Sequence, residues 1–126
     1  MKNYYAGWEI HPEDREWLLG LFSPSYRDII AHHVTYKFGV DQDFIMPKDG
    51  EGIVVGVADD GEKVQALVVE IGGTTQRPDG KVYHITWSID RSLGARPVHS
   101  NSVIAEFGYT DVPRTLIRLK PSLFPL

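Results

Sequence analysis

The chain has 126 residues, no cysteine, and 13 Lys and Arg against 17 Asp and Glu, for a formal charge of −4. That length suits one domain, 1–126, with a real core and is too short for two independent ones. Without cysteine there are no disulfides or thiolate metal sites, and redox compartment is left open. The charge argues against gripping a long nucleic-acid duplex through many phosphates, which takes a clear basic excess. A small phosphate-bearing ligand or an RNA end is the better match. No apolar run approaches a membrane span, and Met1-Lys2-Asn3-Tyr4-Tyr5 lacks the apolar core of a signal peptide, so the expectation is a cytoplasmic protein with no membrane partner.

Tyr4 to Ile10 reads as an opening strand, and Pro12-Glu13-Asp14 as a helix start, with proline and acids in the first turn. Trp17, Leu18, Leu21 and Phe22 form the stripe that packs this helix on a sheet. Ser23-Pro24-Ser25 ends it, and Ser25 to Ile30 suggests a short helical turn. A strand follows from His32 to Gly39, then a polar loop from Asp41 to Gly52. Ile53–Ala58 and Val64–Ile71 are β-branched runs joined by Asp59-Asp60-Gly61-Glu62, a hairpin signal. Gly72 to Gly80 is loop, Lys81 to Ile89 strand, and Arg91 to Pro97 loop. Ser100-Asn101-Ser102 caps a helix to Phe107. Thr115 to Lys120 is the last strand, followed by a Pro-rich tail.

Two copies of one pattern stand out. His33-Val34-Thr35-Tyr36 and His84-Ile85-Thr86-Trp87 are each His, apolar, Thr, aromatic, and each lies in an alternating run. In a strand, residues i and i+2 share a face. His33, Thr35 and Lys37 therefore go to one side, and Val34, Tyr36 and Phe38 to the other; His84, Thr86 and Ser88 separate likewise from Tyr83, Ile85, Trp87 and Ile89. Composition alone predicts only about a quarter of one His-x-Thr pair. Paired histidines suit acid–base work near neutral pH, one taking a proton while the other gives one. The threonine hydroxyls suit donation to phosphate oxygens, where charge develops in the transition state.

Two His-apolar-Thr-apolar motifs on separate strands resemble the signature of the 2H phosphoesterase superfamily, which includes 2′-5′ RNA ligase-like proteins and cyclic phosphodiesterases. The segment from Tyr83-His84-Ile85-Thr86 through Gly94-Ala95-Arg96-Pro97-Val98-His99-Ser100-Asn101 is also similar to small 2H-like modules associated with RNA-repair proteins. The resemblance covers roughly the central half of the chain. It implies catalytic His33 and His84, phosphate-binding Thr35 and Thr86, no cofactor, no metal, and a nucleotide or RNA end as substrate. The reaction implied is cleavage of a 2′,3′-cyclic phosphate, a 2′-5′ linkage or a cyclic-nucleotide diester.

Lys37, Ser88, Arg91 and Arg96 are candidate substrate contacts, each weighed against an ordinary solvated side chain. His32, offset by one position, is read as structural and turned to the core; His11 as a helix cap; and His99 as a loop residue near the ligand. Tyr36, Tyr83 and Trp87 are expected in the core, with Tyr5, Trp8 and Tyr109 as stacking candidates. Zinc held by both histidines would need a third ligand from Asp43, Asp90 or His99, and leaves the threonines without a role. No Gly-x-Ser-x-Gly elbow supports a serine hydrolase. The expected fold is compact α+β, with antiparallel strands around a central cleft and helices outside. The alternative function is a non-catalytic nucleotide- or RNA-end-binding module.

Overall fold

The computed structural model describes residues 2–126. Seven strands, β1 (Tyr4–Ile10), β2 (Asp28–Ile29), β3 (His33–Val40), β4 (Glu51–Asp59), β5 (Val64–Glu70), β6 (His84–Ile89) and β7 (Thr110–Pro125), accompany two α-helices, α1 (Pro12–Leu21) and α2 (His99–Phe107). The strands run β2-β6-β3-β1-β7-β4-β5, every pairing is antiparallel, and β5 also pairs with β6. That last pairing closes six strands into a barrel and leaves β2 as a short flap on β6.

Alternation assigns each strand an inner and an outer face. Trp8 of β1, Val34 of β3, Val54 of β4, Leu67 and Val69 of β5, Ile85 and Trp87 of β6, and Ile117 and Leu119 of β7 form one buried cluster. All six barrel strands contribute to it, so the barrel interior is filled by apolar side chains and holds no cleft. The outer residues Val64, Ala66 and Val68 of β5 form a second cluster with Val103 and Ile104 of α2. This explains why β5 is buried on both faces. Helix α2 therefore packs outside the wall, as expected.

Helix α1 lies across one mouth. Leu18 enters the interior cluster, and Phe22 packs on it while Trp87 Nε1 donates to Phe22 O at 2.7 Å. At the other end of this span, Arg118 of β7 makes a 2.7 Å ion pair with Asp14. Trp17 and Leu21 of the predicted stripe are exposed, because the helix touches the barrel along the narrower line Leu18–Leu19–Phe22. His11 caps the helix, its Nδ1 accepting from Glu13 N.

Three local expectations are corrected. The predicted helical turn before Ile30 is β2, whose pairing continues as Ile30 and Ala31 N–H donate to Trp87 O and Thr86 O. Helix α2 begins one residue before Ser100, with no side-chain cap, because the Ser100 hydroxyl is used elsewhere. The last strand takes in the Pro-rich tail. It pairs with β4 from Thr110 to Arg118, with a register jump around Pro113, and with β1 from Leu119 to Pro125. Pro121 and Pro125 thus sit where one strand edge is unpaired, a place in a sheet that tolerates proline. Among the described residues, no helix is long and apolar enough to cross a membrane.

Candidate functional site

Strands β3 and β6, fifty residues apart in the chain, meet at the pair Val34↔Ile85. Both are fully buried in the barrel interior. Their neighbours must point the other way, so His33, Thr35, His84 and Thr86 all leave the outer face of the wall. There they line one open cavity of about 550 Å³, together with Tyr5, Phe38, Arg77, Asp79, Lys81 and the start of α2. The cleft is a feature of the barrel's outside, covered on one side by α2 and on another by the Arg77–Lys81 turn.

Two of the predicted substrate contacts are on the wrong side, for one shared reason. Along β3, Gly7 pairs with Thr35 but Ala6 pairs with Lys37, leaving Tyr36 as an extra residue. Along β6, Ala66 pairs with Thr86 but Gln65 pairs with Ser88, leaving Trp87 extra. A β-bulge inserts one residue and shifts the alternation after it. Lys37 therefore leaves the His33 face and lies exposed with Nζ 5.8 Å from the Phe44 ring, while Phe38 returns to the cavity. Ser88 is wholly buried beneath the Ser23–Tyr26 turn, donating to Gln65 Oε1 at 2.6 Å and accepting from Ser25 and Tyr26 N–H. Arg91 and Arg96 are exposed and outside the cavity; each uses its backbone N–H, on Asp28 and on His99 Nδ1 respectively. His99 lies outside it too.

The two histidines are held differently. His84 is almost fully buried, and its Nδ1 lies 2.8 Å from Val82 O. A carbonyl only accepts, so Nδ1 carries the hydrogen and Nε2 of the neutral ring is the free acceptor. Burial lowers the pKa of His84, the Val82 carbonyl opposes this, and the nearby charges of Arg77 and Lys81 lower it further. His33 has no carbonyl partner on Nδ1; its Nδ1 lies 3.1 Å from Nδ1 of His32. Burial, then the charges of His32 and His84, push its pKa down to about 4. Burial thus holds both imidazoles toward the neutral form.

His32 is not turned to the core. Ala31 N–H bonds Thr86 O while Val34 pairs with Ile85, so His32 and His33 are squeezed in between adjacent positions of β6. Ala31 accommodates this with a φ of 44°, the left-handed region that a non-glycine residue rarely adopts. The distortion leaves His32 exposed, with its ring against that of His33.

The threonines also differ. Thr86 Oγ1 donates to Pro97 O at 3.2 Å and shares a 2.9 Å hydrogen bond with the fully buried Ser100. Its single proton is engaged in holding the start of α2 against β6. Thr35 is half-buried on the cavity wall, and its hydroxyl is unengaged among the described residues.

The groups that sequence reasoning missed lie on the turn before β6. Arg77 N–H bonds Lys81 O and Gly80 N–H bonds Arg77 O, which brings Arg77, Asp79 and Lys81 to one wall of the cavity. The Arg77 side chain is 4% exposed, its Nη2 is 2.7 Å from Asp79 Oδ2, and its Nε is buried with no partner among the described residues. Burial opposes ionisation of Asp79, but the Lys81 N–H and the Arg77 charge hold its carboxyl below the usual range. Asn101 Oδ1 is likewise buried, unpaired and at the cavity. The available signal was Arg77-Pro78-Asp79-Gly80-Lys81, a turn with alternate charges just before a motif strand.

Of the aromatic candidates, Tyr5 lines the cavity and stacks between Phe38 and Phe124, with centroids at 5.6 and 4.9 Å. Phe38 at the rim is 64% exposed. Trp8, Trp87 and Tyr83 are core, Tyr36 packs half-buried on that core, and Tyr109 covers Gly56 away from the site. Among the described residues, no three His, Asp or Glu side chains group as a metal site would require. No family model, curated protein or solved structure matches the chain.

Proposed function

We propose that the protein is a metal-independent phosphoesterase of the 2H type, cleaving a 2′,3′-cyclic phosphate, a 2′-5′ linkage or a cyclic-nucleotide diester. The observation that carries the reading is the convergence of both His-x-Thr pairs on one cavity that also holds Arg77 and Lys81. A phosphodiester seated there meets Lys81, the Arg77–Asp79 ion pair, a free Thr35 hydroxyl and two imidazoles. Its negative charge favours protonation of an adjacent imidazole, opposing the burial that keeps the empty site neutral. His84, fixed by Val82 O and flanked by cations that disfavour its charged form, is the base: Nε2 takes a proton from water or a ribose hydroxyl. His33, whose charged form those two cations do not disfavour, protonates the departing oxygen. Phe38, exposed at the rim, offers a flat face to a nucleobase.

The test is incubation with EDTA and a panel of 2′,3′-cyclic nucleotides, 2′-5′ dinucleotides and cyclic dinucleotides, beside His33→Ala and His84→Ala. Each substitution is expected to lower turnover at least about 100-fold, the scale of one acid or base, with the circular dichroism spectrum unchanged. Wild-type rates in either variant refute the paired mechanism.

A second reading, a non-catalytic nucleotide- or RNA-end-binding module, is favoured by one observation: Thr86 already spends its proton on Pro97. It predicts saturable binding without product.

A further inference from the structure

In the proposed reaction the acid is His33, which burial holds toward its neutral form, so a proton has to be supplied to it as the leaving oxygen departs. His32 is placed to supply it. It is exposed, it touches the buried ring of His33, and the two Nδ1 atoms are 3.1 Å apart. That distance lets one hydrogen lie between the two nitrogens, with one ring as donor and the other as acceptor. Phe124 lies against both rings, 5.0 Å from His33 and 5.9 Å from His32, and Tyr5 flanks His33 at 5.5 Å. The pair is thus clamped in place, and the left-handed backbone at Ala31 turns His32 out to solvent.

We propose that His32 is the solvent-facing half of a two-histidine proton relay, handing a proton through the Nδ1···Nδ1 contact to His33, whose Nε2 delivers one to the departing oxygen. This rests on the phosphoesterase reading above.

The step balances. In the loaded state of the relay the transferable proton sits on His32, whose Nδ1–H donates to His33 Nδ1, so neutral His33 carries its hydrogen on Nε2. As the P–O bond breaks, the Nε2 hydrogen goes to the leaving oxygen and the Nδ1 hydrogen of His32 passes to His33 Nδ1. His84 Nε2 takes the proton of the attacking water or hydroxyl as the new P–O bond forms. One cation is lost at His32 and one gained at His84; after product leaves, water takes the proton from His84 Nε2 and returns one to His33 Nε2, and the Nδ1 hydrogen of His33 passes back to His32. Charge rests at lower cost on the exposed ring than on the buried one, which is the physical reason for a two-ring path. Other ionisable groups face this pair from each neighbouring element: Tyr5 and Glu9 on β1, with Lys120 of β7 opposite Glu9; Arg15 on α1, bonded to Ala31 O; and His84 on β6. Only His32 and His84 act on the His33 charge appreciably.

His32 is a positioning and relay residue, since it does not line the cavity. The test compares wild type, His32→Ala and His32→Gln on the diester that the panel identifies, with pH–rate profiles. His32→Ala is expected to lose about tenfold to a hundredfold in kcat, the scale for residues behind a catalytic ligand, with KM little changed. Added imidazole restores the rate in proportion to its concentration, because the vacated site opens to solvent. His32→Gln, which can donate a hydrogen bond but cannot relay a proton, stays slow. A wild-type rate in His32→Ala, full rate in His32→Gln, or a loss that imidazole leaves untouched each overturns the relay. Should no diester turn over, the phosphoesterase reading fails by itself. The pair is then judged by ¹⁵N imidazole spectra: His32 and His33 titrating together in wild type uphold the shared proton, and independent titration overturns it.

Discussion

Acid sensitivity should be traceable to His33. Its pKa stands at about 4 in the folded protein against 6.5 when unperturbed, with burial as the main cause. Between those two values the unfolded chain binds a proton that the folded one does not. Stability is therefore whole above pH 6.5, falls as pH drops toward 4, and is flat below that as far as this group is concerned. At 1.36 kcal/mol for each pH unit, the gap amounts to about 3 kcal/mol, an upper figure because the ring keeps some contact with water. That is a large part of the ~5–15 kcal/mol that hold a domain folded. Urea unfolding of wild type and His33→Gln at pH 7.5, 6.5, 5.5 and 4.5 isolates the contribution, since the carboxylates and His84 titrate in both. Wild type should lose about 2–3 kcal/mol more than the variant across this range. Parallel curves would falsify the assignment of a buried, neutral His33.

Arg77→Met should weaken binding of a nucleoside 2′-phosphate about tenfold or more, the worth of one charge-assisted hydrogen bond; titration calorimetry reads it, and unchanged affinity removes Arg77 from the anion site. Ser88→Ala leaves the Tyr26 N–H without its acceptor, while Ser25 N–H keeps Gln65 Oε1, and should cost about 1–3 kcal/mol in urea unfolding with kcat/KM unchanged. Lys37→Ala should leave both stability and kcat/KM unchanged, whereas a contact with substrate would raise KM. A Cβ at Gly7 would lie 2.1 Å from Val34 O, so Gly7→Ala must push β1 from β3 beside the site. Its expected signature is a lower Tm and lost activity; wild-type Tm would contradict the close approach.

Strand faces are written in the sequence because alternation has a strict period of two. Val34 and Ile85 go in, and the His/Thr pairs go out, as the pattern required. The hairpin between β4 and β5, the proline-led start of α1 and the α2 segment were legible for similar reasons, each a short-range signal. What alternation cannot register is an inserted residue. The bulges at Tyr36 and Trp87 depend on how β1 and β5 pair with the motif strands, and they moved Lys37 and Ser88 to the other face while admitting Phe38. The same blindness misplaced His32, whose outward turn follows from the Ala31 backbone and the mismatch with β6. That the barrel fills its own centre, so the cavity lies outside the wall, follows from six strands pooling their apolar faces. Arg77, Asp79, Lys81 and Asn101 come from a turn and a helix with no periodic signal of their own. Local chemistry thus put both His-x-Thr pairs on outward faces, while long-range pairing decided that they share one cavity, which further groups join them, and which hydrogen bonds each ring and hydroxyl has left to offer.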